Sequence, residues 1–224
     1  MGRELNFKYN GEFFGKKLDK NQINFIEQIW KPSNFIVFCD AVSGSGKTTL
    51  SVGMAEVLYK KGLYKNGIIY IAAPYGTEKQ GYLKGNLEEK SAVYYEPLYE
   101  ALIEVGLSPD KVVKNNNIIA NRKFDDSYVE CRPNTFLRGL NLRDSIVIID
   151  EAQNNTTLNL KTILTRCHDD CKVIVIGHTG QQDIIGKSGF QRYLQWYASE
   201  PYCAVCNLDV NYRGLISRRA DALE

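Results

Sequence analysis

The chain has 224 residues, of which 44% are hydrophobic and 24% charged, and its formal net charge is +2. That length supports one substantial core, so a single α/β domain over 1–224 is expected and two full domains are not. The charge is too small to demand a polyanionic partner. No apolar run comes near the roughly 20 residues that cross a bilayer, so a cytoplasmic protein with no membrane partner is expected.

In chain order, Ile23, Phe25, Ile26, Ile29 and Trp30 recur at helical spacing and stop before Pro32, which predicts a helix over Lys20 to Trp30 within an N-terminal region of residues 1–33. Phe35 to Cys39 reads as a buried strand, and Thr48 to Lys61 as a helix. Between them lies Ala41-Val-Ser-Gly-Ser-Gly-Lys-Thr-Thr49. A strand, a glycine-rich loop and a helix in this order make a polyphosphate cradle, because glycines let backbone N–H groups turn inward and the helix adds its positive N-terminus. Ser43, Gly44, Ser45, Gly46, Lys47, Thr48 and Thr49 form the expected nucleotide-binding set. Lys47 is placed to reach the β and γ phosphates and Thr48 to give a hydroxyl to Mg²⁺. Ala41 stands where such loops usually begin with glycine, which is tolerable if its φ stays negative.

Further strands are predicted at Ile68 to Ala73, Ile146 to Asp150, Val173 to Gly177 and Ala204 to Leu208. All are short and nearly all apolar, as in a parallel sheet covered on both faces. Helices are predicted over Ala92 to Val105, with a kink at Pro97, and over Thr157 to Cys167 and Phe190 to Ala198. Gly62 and Gly106 are read as helix stops. Residues 115–143 break this rhythm: three consecutive asparagines and the alternating run Tyr128-Val-Glu-Cys predict a loop and a small hairpin inserted before the acidic strand. The stretch 111–143 holds seven basic residues against three acidic, a local excess of +4.

Ser145-Ile-Val-Ile-Ile-Asp150-Glu151-Ala-Gln153 places two carboxylates at the C-terminal end of a buried strand, where open α/β sheets carry their chemistry. Asp150 is suited to a Mg²⁺ shell and Glu151 to activating water. The next strand leads into Gly177-His-Thr-Gly-Gln181, so Gln181 is a candidate γ-phosphate sensor, and Asn211-Tyr-Arg213 offers a guanidinium for charge developing on the transferred phosphoryl group. Six cysteines in a reducing compartment read first as core residues, although Cys167-x3-Cys171 and Cys203-x2-Cys206 leave a zinc site open.

Taken together, these residues resemble the PhoH-like family of P-loop ATPases, related to the core of superfamily 1 helicases. The likeness covers most of the chain. It is carried by the phosphate loop, Gln80-Gly-Tyr-Leu-Lys-Gly-Asn-Leu-Glu-Glu-Lys90, Glu96 to Leu102, Phe136-Leu-Arg-Gly139, Asp150-Glu-Ala-Gln-Asn-Asn-Thr-Thr157 and Leu164-Thr-Arg166. The resemblance implies a RecA-like fold, a mostly parallel sheet with helices on both faces and a small insertion before the acidic strand. It implies ATP and Mg²⁺ as cofactors, Gln22 against adenine and Arg213 against the γ-phosphate. The family's Gly-Asp is Gly177-His178 here, and His178 reads as a neutral strand-end residue without a catalytic task. Single-stranded nucleic acid, RNA foremost, is the expected partner, with Tyr75, Thr77, Tyr82, Arg138 and Arg143 as candidate contacts through stacking and phosphate pairing. One motor lobe implies assembly into a ring of copies if the protein translocates. The appended nuclease domain that some relatives carry is not expected within these 224 residues. Two other readings stay open: a thymidine-type nucleoside kinase, in which Glu151 activates a nucleoside hydroxyl, and an ATP-gated nucleic-acid-binding switch with incidental hydrolysis.

Overall fold

A computed structural model describes residues 9–73, 95–114, 127–133, 139–181 and 188–221. The candidate contacts Tyr75, Thr77, Tyr82 and Arg138, and the segment 80–90, lie outside those residues.

The first helix, α1 (Lys20–Trp30), starts where Asp19 and Gln22 cap each other. The Gln22 amide donates to the Asp19 carboxylate at 2.8 Å, and the Asp19 amide donates to the Gln22 side chain at 3.1 Å. This reciprocal pairing satisfies two of the N–H groups a helix start leaves orphaned. Phe25, Ile26, Ile29 and Trp30 form the buried stripe. There follow β1 (Ile36–Ala41), α2 (Lys47–Lys60), β2 (Ile68–Ala72), α3 (Glu96–Glu104), the one-turn α4 (Pro109–Val112) and β3 (Val129–Pro133). The remainder is β4 (Ile146–Asp150), α5 (Thr157–Leu164), β5 (Lys172–Gly177), α6 (Phe190–Tyr197), β6 (Cys203–Leu208) and α7 (Leu215–Asp221).

The six strands make one sheet in the order β3-β2-β4-β5-β1-β6, every neighbouring pair parallel. Because side chains alternate along a strand, the strands inside the sheet feed two cores. Val37, Cys39, Ala41, Ile174 and Ile176 pack with α1, α2 and α3 on one face; Ile36, Phe38, Val173 and Val175 pack with α5 and α6 on the other. That double burial explains the unbroken apolar runs seen in the sequence. It also parts the cysteines: Cys206 lies in the first core, whereas Cys171 lies in the second with Cys167 and Cys203 against it. Among the described residues no group of three or more metal-ligating side chains is positioned for an ion, so the zinc reading is set aside.

Two expectations are corrected. Pro97 does not kink a longer helix; it sits in the first turn of α3, where its missing N–H has no intrahelical use. The alternating run after Tyr128 is not a hairpin but β3, an edge strand running parallel to β2 with Val129 opposite Ile68. A half-buried strand alternates in the same way in both settings, and its partner here lies far back in the chain. Tyr128 fastens this edge, donating its hydroxyl to the buried Glu56 of α2 at 2.6 Å and stacking on Tyr59 with centroids 4.1 Å apart.

Lys172, first residue of β5, is buried with 1% exposure, which no pattern in the chain foretells. Its ammonium donates to the carbonyls of Lys31, at 2.8 Å, and Asn34, tying the exit of α1 to the sheet. Burial pushes its pKa from 10.5 down to about 8. The unfolded chain therefore holds a proton that the folded chain releases between those values, and stability rises with pH across that window. Between pH 7 and pH 9 this group adds about 1 kcal/mol. Chemical denaturation at the two pH values should show that gain in the wild type and its loss in Lys172→Met; an equal pH response in both proteins would refute it.

Candidate nucleotide site

The site is built at the C-terminal rim of the sheet. β1 passes into loop 42–46, which the Val42 amide ties to Leu208 O of β6 at 2.9 Å, and α2 begins at once with Lys47. Gly44 and Gly46 have φ of 68° and 82°, a region closed to most side chains. At Gly44 a Cβ would also stand 2.6 Å from Asn211 Oδ1 and 2.7 Å from Arg213 Cγ. The loop 211–213 thus lies directly on the phosphate loop, where the Tyr212 amide donates to Gly44 O at 2.9 Å. Ala41 ends β1 and is not among the described non-glycine residues with positive φ, so its substitution for glycine causes no strain. The amides of Lys47, Thr48 and Thr49 open α2 and have no intrahelical acceptor, which leaves them available to an anion.

Asp150 ends β4 with 1% exposure. One carboxylate oxygen accepts the Thr48 hydroxyl at 2.8 Å and the Tyr70 hydroxyl at 2.6 Å; the other accepts the Glu151 amide at 2.7 Å. Burial, reinforced by the charge of Glu151, raises its pKa, while Lys47 and the Tyr70 and Thr48 hydroxyls oppose the rise. Glu151 is held in the left-handed region at φ 49°, a costly setting for a non-glycine residue and one that clusters at working sites. Its Oε1 lies 3.4 Å from Lys47 Nζ, and its Oε2 accepts Gln153 Nε2 at 2.6 Å. Gln153 in turn accepts the His178 amide at 3.0 Å, joining the β4 rim to the turn after β5. In that turn the Gln181 side chain donates to Ser43 Oγ at 3.1 Å.

Lys47, Thr48, Asp150, Glu151, Gln181 and Arg213 thus lie together at one rim. Gln22 joins them from α1, donating to Ser45 O at 2.9 Å. Thr49 turns its hydroxyl aside to Glu104 Oε2 at 2.7 Å, a bond that, with Lys16 nearby, holds the Glu104 carboxyl below its usual range. Ser45 Oγ is buried without a partner among the described residues. Arg143 is not brought to the site. It precedes β4, at the opposite rim from Asp150, with its guanidinium 3.9 Å from Asp170. Sequence reasoning missed Tyr70, whose signal was a lone hydroxyl in the run Ile-Ile-Tyr-Ile-Ala; a buried tyrosine needs a partner.

The donors suit Mg²⁺. Thr48 Oγ and the Asp150 carboxylate are hard oxygens 2.8 Å apart at the rim, the donor type that would hold this ion.

An all-parallel sheet with a glycine-rich loop between β1 and α2 and an acidic pair ending β4 defines a P-loop nucleotide-binding domain of RecA-like fold. The crystal structure of the HK97 bacteriophage large terminase shares this fold, with a TM-score of 0.56 at 16% identity over 92% of this chain and 42% of that one. The chain belongs to the PhoH-like family, whose description "PhoH-like protein" matches residues 16–218. A PhoH-like protein of Synechocystis is 32% identical over 208 residues, covering 91% of this chain and 60% of its own length. One from Bacillus subtilis is 36% identical over 151 residues, covering 67% and 44%. The chain therefore spans about half the length of these curated relatives. Among the described residues no helix is long and apolar enough to cross a membrane.

Proposed function

We propose that this chain hydrolyses ATP with Mg²⁺ and couples hydrolysis to single-stranded nucleic acid, RNA foremost. The observation that carries the reading is the pairing of Lys47 with Glu151 at 3.4 Å beside that of Thr48 with Asp150 at 2.8 Å. In this reading Lys47 and the first amides of α2 neutralise the β and γ phosphates, while Thr48 and Asp150 hold the ion. When bound, Mg²⁺ neutralises charge on the phosphate oxygens. Tyr70 fixes the Asp150 carboxylate. Glu151 accepts the proton of the attacking water, and Gln153 keeps its carboxylate turned inward. Gln181 senses the γ-phosphate and Arg213 answers charge developing on it. Gln22 retains one amide N–H beyond its bond to Ser45 for an adenine edge.

Contacts to the strand fall to Tyr75, Thr77, Tyr82 and Arg138, with the +4 excess of 111–143 as their electrostatic background. Arg143, at the far rim, is left to a path that wraps the domain. A ring of copies and a cytoplasmic setting complete the proposal. The kinase alternative shares the phosphate loop and the acidic strand end and added paired cysteines, of which the sheet parts Cys206 from Cys167, Cys171 and Cys203. ATP turnover titrated with defined RNA and single-stranded DNA oligomers tests the coupling. Turnover should rise about tenfold on saturation, with affinity falling as salt increases. Unchanged turnover together with no salt-sensitive binding would refute it.

A further inference from the structure

The mechanism above leaves one carboxylate at the nucleotide rim without a task. Asp40 lies in β1 directly before Ala41, opposite Gly177 of β5 in the parallel register. Past this pair the two strands diverge, β1 into the phosphate loop and β5 into the turn that carries Gln181. Both Asp40 oxygens are engaged by one residue of that turn: Oδ1 accepts the Thr179 amide at 2.9 Å and Oδ2 accepts the Thr179 hydroxyl at 2.6 Å. The turn is closed by the Gln181 amide on His178 O at 3.2 Å, and the Gln181 side chain meets Ser43 of the phosphate loop. A negative charge this close to a polyphosphate cradle works against nucleotide binding. Its geometry shows what offsets that cost, since a charged acceptor gripping two donors holds a turn far more firmly than the single 3.2 Å bond inside it.

From this geometry we infer that Asp40 is a positioning residue that sets Gln181 against the nucleotide by stapling Thr179. The inference rests on the hydrolysis reading, because it acts through Gln181. It locates the fixed reference of the sensor turn in the strand that feeds the phosphate loop, so sensor and cradle keep their spacing when either side moves.

The test combines kinetics with hydrogen exchange on the full chain. Asp40→Ala and Thr179→Val should each lower ATP kcat about tenfold, the range expected for losing hydrogen bonds to a charged group, with KM for ATP within about twofold of wild type. In a Gln181→Ala background, Asp40→Ala should lower kcat no further, because its effect passes through the residue already removed. Without any nucleotide, exchange of the Thr179 amide should be slow in the wild type and fast in Asp40→Ala. Multiplying losses in the double variant, or a change confined to KM, would overturn the inference by making Asp40 a support of the phosphate loop alone. A full effect of Gln181→Ala with none from Asp40→Ala and Thr179→Val also sinks it, leaving the hydrolysis reading intact. Absent wild-type turnover, or no effect of Gln181→Ala, instead sinks the reading beneath it.

Discussion

Glu151→Gln is expected to lower ATP turnover by about 10³-fold, the scale of a lost general base, while nucleotide binding becomes severalfold tighter. The two effects have one cause. Without nucleotide, the Glu151 carboxylate takes up part of the Lys47 charge at 3.4 Å, in a site where the two side chains are only 24% and 13% exposed. The amide of glutamine has the same shape, keeps an acceptor for Gln153 and tolerates the left-handed backbone no worse. Only charge and basicity are removed. Lys47 is then freed for the phosphates, and one carboxylate fewer repels them. Calorimetric titration with ATP and a phosphate-release assay on the same preparation read both quantities. Turnover above a tenth of wild type, or weaker binding, would show that Glu151 neither activates water nor competes for Lys47.

Much of this site could be read before any coordinates because its chemistry is local in sequence. The phosphate loop and the Asp150-Glu151 pair are short runs whose flanking apolar strands fix which rim they reach, and β4 was predicted residue for residue over Ile146 to Asp150. What escaped was non-local. The partner of β3 is β2 rather than a neighbour in the chain, and alternation alone does not name a partner. Pro97 announces a helix boundary, but it fits a first turn as well as a kink, and the face that α3 buries, Leu98, Ala101 and Leu102, lies beyond it. Asp40, Tyr70 and Lys172 are polar residues within otherwise apolar strands. Each is explained by one acceptor or donor delivered from another element: Thr179, Asp150, and the carbonyls of Lys31 and Asn34. Burial makes such partners obligatory, yet nothing in a single strand says where they come from.

Lys47→Ala should weaken ATP binding by at least about 10²-fold and bring turnover below detection, because truncating one member of a desolvated charge pair also leaves its partner uncompensated. Here the partners left behind are Glu151 and the buried Asp150, whose carboxyl is already pushed up by burial and by Glu151 and is drawn down by Lys47. Without Lys47, two adjacent carboxylates would face an incoming polyanion across a rim where, among the described residues, positive potential remains from the α2 amides and from Arg213, whose stem lies against Gly44. The double variant Lys47→Ala/Glu151→Gln should therefore recover part of the lost affinity, since it removes repulsion that the single variant exposes. Lys47→Arg should recover less turnover than binding, because a planar fork restores charge but not the reach of a compact ammonium. ADP and ATP titrations of the four proteins form a thermodynamic cycle. If the affinity changes caused by Lys47→Ala and Glu151→Gln simply add in the double variant, the 3.4 Å pair carries no energetic weight in binding; if Lys47→Ala alone binds ATP within about threefold of wild type, the cradle lies elsewhere.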